Sequence, residues 1–186
     1  MFSARGKNKT LGLYLAFFAW LVISAIGLWW SFGVRLIDFD SQQKLTDAAR
    51  VLSFDRDIET VFGDKFGSLA NQAFHISEAG CFCQQVASSH IGSVKSLLTE
   101  NHYDNQTLEI HQFDILAQYL PATPAVVIFN QRGQLGYFGP YSTGLLCSSG
   151  NGFVEQLIDR LNSQQHYGAA IVSAAKGCYC PTNVKR

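Results

Sequence analysis

From Leu11 to Val34 the chain carries no charged residue and is mostly apolar, and this run limits the fold more than any other stretch. A helix needs about 20 such residues to cross the hydrocarbon core of a bilayer, since each residue advances it only about 1.5 Å. Arg5, Lys7 and Lys9 precede the run, and Trp29 and Trp30 stand near its far end, where amphipathic rings favour the membrane interface. Basic residues before a span stay on the cytoplasmic side. The expectation is a basic cytoplasmic segment over 1–10, an anchor over 11–34, and the remainder facing outside. Ala25-Ile26-Gly27 offers the alternative of a cleaved signal peptide. The apolar run, however, is longer than a usual signal core and continues past that point through Leu28, Trp29 and Trp30.

The anchor also hides a charge imbalance. Fourteen Lys and Arg balance fourteen Asp and Glu, but Arg5, Lys7, Lys9 and Arg35 lie in or beside the run. From Leu36 onward that leaves ten basic residues against fourteen acidic ones, a mildly acidic exported domain without the basic face that nucleic acids require. All five cysteines follow residue 80, as suits an oxidising compartment, and an odd number leaves at least one unpaired or only transiently paired.

Two of these cysteines, Cys81 and Cys83, stand between a strand pattern and a helix pattern. Gln72–Ser77 alternates around Ala73-Phe74-His75-Ile76; Glu78-Ala79-Gly80 then turns the chain; Val86, His90, Ile91, Val94, Leu97 and Leu98 keep a helical stripe to Asn101. Unsatisfied N–H groups and partial positive charge at a helix start favour thiolate, the species that attacks disulfides. Cysteines two apart sit awkwardly for bonding to each other, so a Cys81–Cys83 bond is expected to be strained, accessible and exchangeable. The residues alone admit redox exchange, a metal-ligand pair, a structural disulfide or two inert thiols.

The rest of the chain frames this turn. Leu36–Phe39 reads as a short strand or as the tail of the anchor, and Leu45–Phe62 as one or two short helices within a linker and extension over 35–66, before Gly63 and Gly67. Thr107–Phe113 alternates as a second strand, and Asp114–Tyr119 is a short helical turn. Ala125–Phe129 is continuously apolar, as a strand buried on both faces should be, and Asn130–Gly133 turns it back into Gln134–Phe138. Val154, Leu157, Ile158 and Leu161 mark a last helix. A parallel strand-helix-strand unit with an antiparallel hairpin makes an α/β fold, a small mixed sheet flanked by helices.

This order, with Gly80-Cys-Phe-Cys83, Ala122-Thr-Pro-Ala125 and Tyr137-Phe-Gly-Pro-Tyr141, resembles the thioredoxin-like superfamily over about 67–165. It is similar in particular to membrane-anchored bacterial proteins of that superfamily that carry C-x-C in place of C-x-x-C. The resemblance implies a thioredoxin-like domain over 67–165, Cys81 as the attacking cysteine and Cys83 as the resolving one. Pro124 would match the cis-proline facing the dithiol, with Thr123 offering backbone hydrogen bonds to a bound peptide. It implies a periplasmic thiol-disulfide oxidoreductase on a bacterial inner membrane. Its partners would be thiols or disulfides of exported proteins and a membrane electron donor or acceptor. No tryptophan precedes Cys81 and the motif is one residue short, so the direction of electron flow is not inherited.

Gly177-Cys178-Tyr179-Cys180-Pro181 repeats the spacing in the tail, 166–186. Cys178 and Cys180 are either a second redox pair exchanging with the first or a staple in which Cys147, from the Gly- and Ser-rich loop 142–152, bonds one of them. Two C-x-C pairs would also suit zinc or Cu(I), which makes a metal-handling chaperone the rival reading and a non-catalytic scaffold the third. No resident metal site or cofactor is expected, and His75 reads as a packing residue more than as a proton donor to Cys81.

Overall fold

The apolar run is one helix, α1 (Ala4–Gly33), in the computed structural model, which describes residues 4–33, 36–144, 152–163 and 168–182. Its segment Leu11–Trp30 is long and apolar enough to cross a membrane, and the side chains along it are exposed apart from a half-buried Ser24. Residues 1–35 form one compact unit and 36–186 a second.

The second unit runs β1 (Leu36–Asp38), α2 (Lys44–Ala49), α3 (Phe54–Phe66), β2 (Gln72–Ser77), α4 (Phe82–Val86), α5 (Ser88–Glu100) and β3 (Asp104–Glu109). Two 3-10 turns, Ile110–Gln112 and Asp114–Gln118, lead to β4 (Ala122–Thr123), β5 (Ala125–Phe129), β6 (Leu135–Gly139), α6 (Phe153–Leu161), β7 (Ala170–Ile171), β8 (Lys176–Cys178) and β9 (Cys180–Pro181). Five strands form a mixed sheet in the order β3-β2-β5-β6-β7. β2 runs parallel to β3 and antiparallel to β5, and β6 pairs antiparallel with β5 and parallel with β7.

Period-two alternation sends the side chains of each strand to opposite faces. Phe74 and Ile76 of β2, with Ala125, Val127 and Phe129 of β5, join Phe54, Ile58 and Phe62 of α3 in one core. Ala73, Val126 and Ile128 join Ile91, Val94 and Leu98 of α5 and Val154 and Leu161 of α6 in the other. The uninterrupted apolar run of β5 follows from this burial on both faces. Phe62 anchors the first core, with its ring 4.8 to 5.9 Å from those of Phe66, Phe74, Phe113 and Phe129.

Two expectations from sequence are corrected. The second strand is Asp104–Glu109, three residues before the expected Thr107–Phe113. Its register sets Gln72 against Asp104, with the Gln106 amide donating to Gln72, while Ile110 leaves the ladder and turns into the core. The helix behind the dithiol is two helices, because α4 stops at Val86 and α5 begins at Ser88.

Candidate functional site

The chain leaves β2 through Glu78-Ala79-Gly80, and Gly80 has a φ of 78°, a conformation that side chains other than glycine adopt at a cost. The Cys81 N–H donates to the Glu78 carbonyl at 3.2 Å, which leaves Cys81 extended as the cap of α4 and starts the helix at Phe82. Cys83, the second residue of α4, is buried, whereas the Phe82 side chain is half exposed. The dithiol thus stands where a strand meets a helix.

The C-terminal segment comes to meet it. β8 pairs antiparallel with β1, and β9 pairs antiparallel with β4, setting Cys180 opposite Thr123 and Pro181 opposite Ala122. Beyond the ladder, the Thr182 N–H donates to the Pro121 carbonyl and its hydroxyl to the Leu120 carbonyl. The Thr123–Pro124 peptide bond is cis. In this register Cys81 is bonded to Cys180 and Cys83 to Cys178, with Cα separations of 6.0 and 5.3 Å. The four cysteines pack with one another as a cluster separate from both cores.

This pairing overturns the sequence expectation on two points. Cys81 and Cys83 are bonded to the tail and not to each other, and they are covered, at 7 and 6 % exposure, where an accessible dithiol was expected. The covering belongs to the tail: Cys178 and Tyr179 lie across the site and are themselves buried. Nor does either tail cysteine serve as a staple to Cys147, since both are taken by the dithiol; Cys147 itself lies outside the described residues.

Tyr179, the middle residue of the tail motif, is the side chain that seats it. Its ring meets Phe39 edge to face at 5.1 Å, and its hydroxyl donates to the Ser142 carbonyl. Ser142 is held in turn by His90, whose Nδ1 lies 3.4 Å from the Ser142 hydroxyl while Nε2 lies 2.7 Å from Glu155. A proton on Nε2 donated to the carboxylate leaves Nδ1 to accept from the hydroxyl. Serine and histidine are buried and the carboxylate partly so, and the arrangement ties α5, α6 and the Ser142 backbone together beneath the tail. Nothing in the sequence pattern flagged Tyr179, Ser142 or Glu155, because their meeting depends on contacts across dozens of residues.

His75 is a packing residue here. Asn105 donates its amide N–H to the Lys95 carbonyl and the Thr99 hydroxyl, which leaves its oxygen 2.7 Å from His75 Nε2. Nε2 therefore carries the proton, and Nδ1 accepts from the Tyr141 hydroxyl at 2.6 Å. Burial holds the ring neutral down to about pH 4, against the hydrogen bond to Asn105, so His75 is no imidazolium acid near neutrality and its one N–H is held by Asn105. Glu78, three residues before Cys81, was not singled out by sequence. Burial raises its carboxyl above the usual range, and His111 and the Thr123 hydroxyl act in the opposite direction.

In this bonded arrangement the Cys81, Cys83 and Cys180 sulfurs all lie within 4.8 Å of one another, near enough for thiol-disulfide exchange among them. A family model described as Domain of unknown function (DUF6436) matches residues 53–182, from just before α3 to the end of the described tail. No curated protein and no solved structure matches the chain.

Proposed function

Given that the chain belongs to the DUF6436 family, whose description names no activity, we propose from the site itself that it is a membrane-anchored thiol-disulfide oxidoreductase of thioredoxin-like fold. The observation that carries this reading is the cluster of four cysteine sulfurs at the start of α4, set apart from the cores and beside the Thr123-Pro124 turn. α1 is the anchor in a bacterial inner membrane, and the domain faces the periplasm, where exported proteins fold and disulfides persist. Once Cys81 and Cys83 are reduced, the Cys81 thiolate attacks a sulfur of the substrate disulfide, and the other substrate sulfur leaves as a thiolate and takes a proton. Cys83 then attacks Cys81 in the mixed disulfide, forming Cys81–Cys83 and releasing the substrate as a dithiol. Thr123 and Pro124 hold the substrate backbone alongside. A membrane electron donor supplies the two electrons that reopen Cys81–Cys83; run in reverse, the same steps oxidise a substrate dithiol and a membrane acceptor takes the electrons.

The test is insulin reduction by the detergent-solubilised full chain under dithiothreitol. Cys81→Ser should abolish the activity, and activity equal to the parent removes the proposal.

A second reading has its own observation. The three sulfurs within 4.8 Å of one another, once reduced, offer thiolates suited to Cu(I) or Zn(II), as a metal-handling chaperone needs. Anaerobic titration of the reduced chain with each ion separates the two readings, and no binding tighter than micromolar dismisses the second.

A further inference from the structure

The tail's position beside Cys81 matters as much as its bonds. Cys180 lies in an extended strand, antiparallel to β4 and opposite Thr123, with its sulfur bonded to Cys81. In the exchange reaction above, which this inference presupposes, a mixed disulfide between Cys81 and a substrate strand lying along Thr123 has the same parts. We propose that the C-terminal C-x-C strand is a tethered substrate, occupying in cis the place of an extended, cysteine-bearing polypeptide and closing the site to others until its bonds are exchanged.

Four features favour a seated ligand over a plain staple. The segment uses main-chain pairing at the β4 edge, the mode by which sheet edges bind extended peptides. Its middle side chain, Tyr179, fills a prepared position against Phe39 and the Ser142 carbonyl, whereas Phe82 of the other motif faces outward. Gly177 permits the approach, since a Cβ there would meet the Tyr179 ring at 2.9 Å and the Gly144 carbonyl at 3.0 Å. The two motifs match in register, Cys81 with Cys180 and Cys83 with Cys178, so the site takes a C-x-C dithiol strand at both sulfurs.

Release needs one external dithiol. Cys180 is the least buried of the four cysteines. A thiolate of the dithiol attacks the Cys180 sulfur; the Cys81–Cys180 bond breaks and Cys81 leaves as thiolate. The second thiol of the reductant then resolves its mixed disulfide with Cys180, so the reductant departs as a disulfide and Cys180 as a thiol. Cys81 next attacks Cys83, forming Cys81–Cys83 and expelling Cys178, which takes up a proton. Two electrons have entered, one disulfide remains at the site, and the tail is a free dithiol.

The full chain in detergent, treated with one equivalent of dithiothreitol, acid-quenched, alkylated and mass-mapped, should show Cys178 and Cys180 alkylated and Cys81 bonded to Cys83. Amide exchange over 176–182 should rise in the same sample. Reduction that yields no Cys81–Cys83 species, or a tail still protected from exchange, overturns the proposal. A second arm uses Cys178→Ala/Cys180→Ala and a synthetic peptide of residues 175–182. The variant, with Cys81 bonded to Cys83, should capture the reduced peptide at Cys81 at least about tenfold faster than the oxidised parent, whose site the tail holds covalently. Equal rates in parent and variant, with capture still dependent on Cys81, overturn the tethered substrate and spare the exchange reaction. Absence of capture in both, with Cys81→Ser no different, overturns the exchange reaction itself.

Discussion

Removing the two tail bonds one at a time and then together should give strongly non-additive losses of stability. The bonds span 99 and 95 residues, and a loop of about 100 residues removes unfolded-state entropy worth about 4.7 kcal/mol. Once either bond stands, the other closes a ring of only about six residues, for which the same relation gives about 2 kcal/mol. Cys81→Ala/Cys180→Ala and Cys83→Ala/Cys178→Ala should therefore each cost about 2 kcal/mol, and the variant lacking both bonds about 7 kcal/mol. Guanidinium unfolding of the full chain in detergent measures this. The signal must be near-ultraviolet dichroism of the buried tyrosines, because Trp20, Trp29 and Trp30 all lie in α1 and do not report on the domain. A single pair costing as much as both, or a fourfold variant costing only twice a single pair, would refute the shared-loop reasoning.

Other perturbations act through single contacts. His75 keeps its ring neutral to about pH 4 when folded but takes a proton near 6.5 when unfolded. The unfolded state thus binds more protons in that window, so stability should be complete above pH 6.5 and fall by up to about 3 kcal/mol as pH drops to 4, a slope that His75→Gln flattens. Phe62→Ala empties the centre of a four-ring contact and should cost about 3 to 5 kcal/mol in the same unfolding assay. Tyr179→Phe keeps the ring on Phe39 but orphans the buried Ser142 carbonyl, a loss of about 1 to 3 kcal/mol with faster amide exchange in the tail. Gly177→Ala forces the tail off the Gly144 carbonyl and should speed that exchange further, at a cost of about 1 to 3 kcal/mol.

Local pattern carried much of this architecture. β2 was readable from alternation and β5 from its continuous apolar run, since burial on one face or two leaves those signatures directly in the residues. β3 was misplaced because the alternation through Leu108 continues at Ile110 and Gln112 after the chain has left the sheet. Cys81 and Cys83 were legible as a dithiol at a strand-to-helix turn, and the Thr123-Pro124 turn beside them was legible only through resemblance. The tail's C-x-C motif was legible but its strands were not: Lys176–Pro181 has too few apolar residues for any period, and its strands are made by pairing with Leu36–Asp38 and Ala122–Thr123, far away in sequence. Cysteine spacing likewise does not give connectivity, so the burial of the dithiol by its own C-terminus emerged only in three dimensions.

Equilibrating the full chain in glutathione buffers of graded ratio, then trapping and mass-mapping the cysteines, asks most directly whether these sulfurs exchange. Working bonds should open at potentials less negative than about −300 mV, with a Cys81–Cys83 species populated on the way. Bonds that stay closed to below about −300 mV, opening together with global unfolding, would mark them as staples and contradict the oxidoreductase.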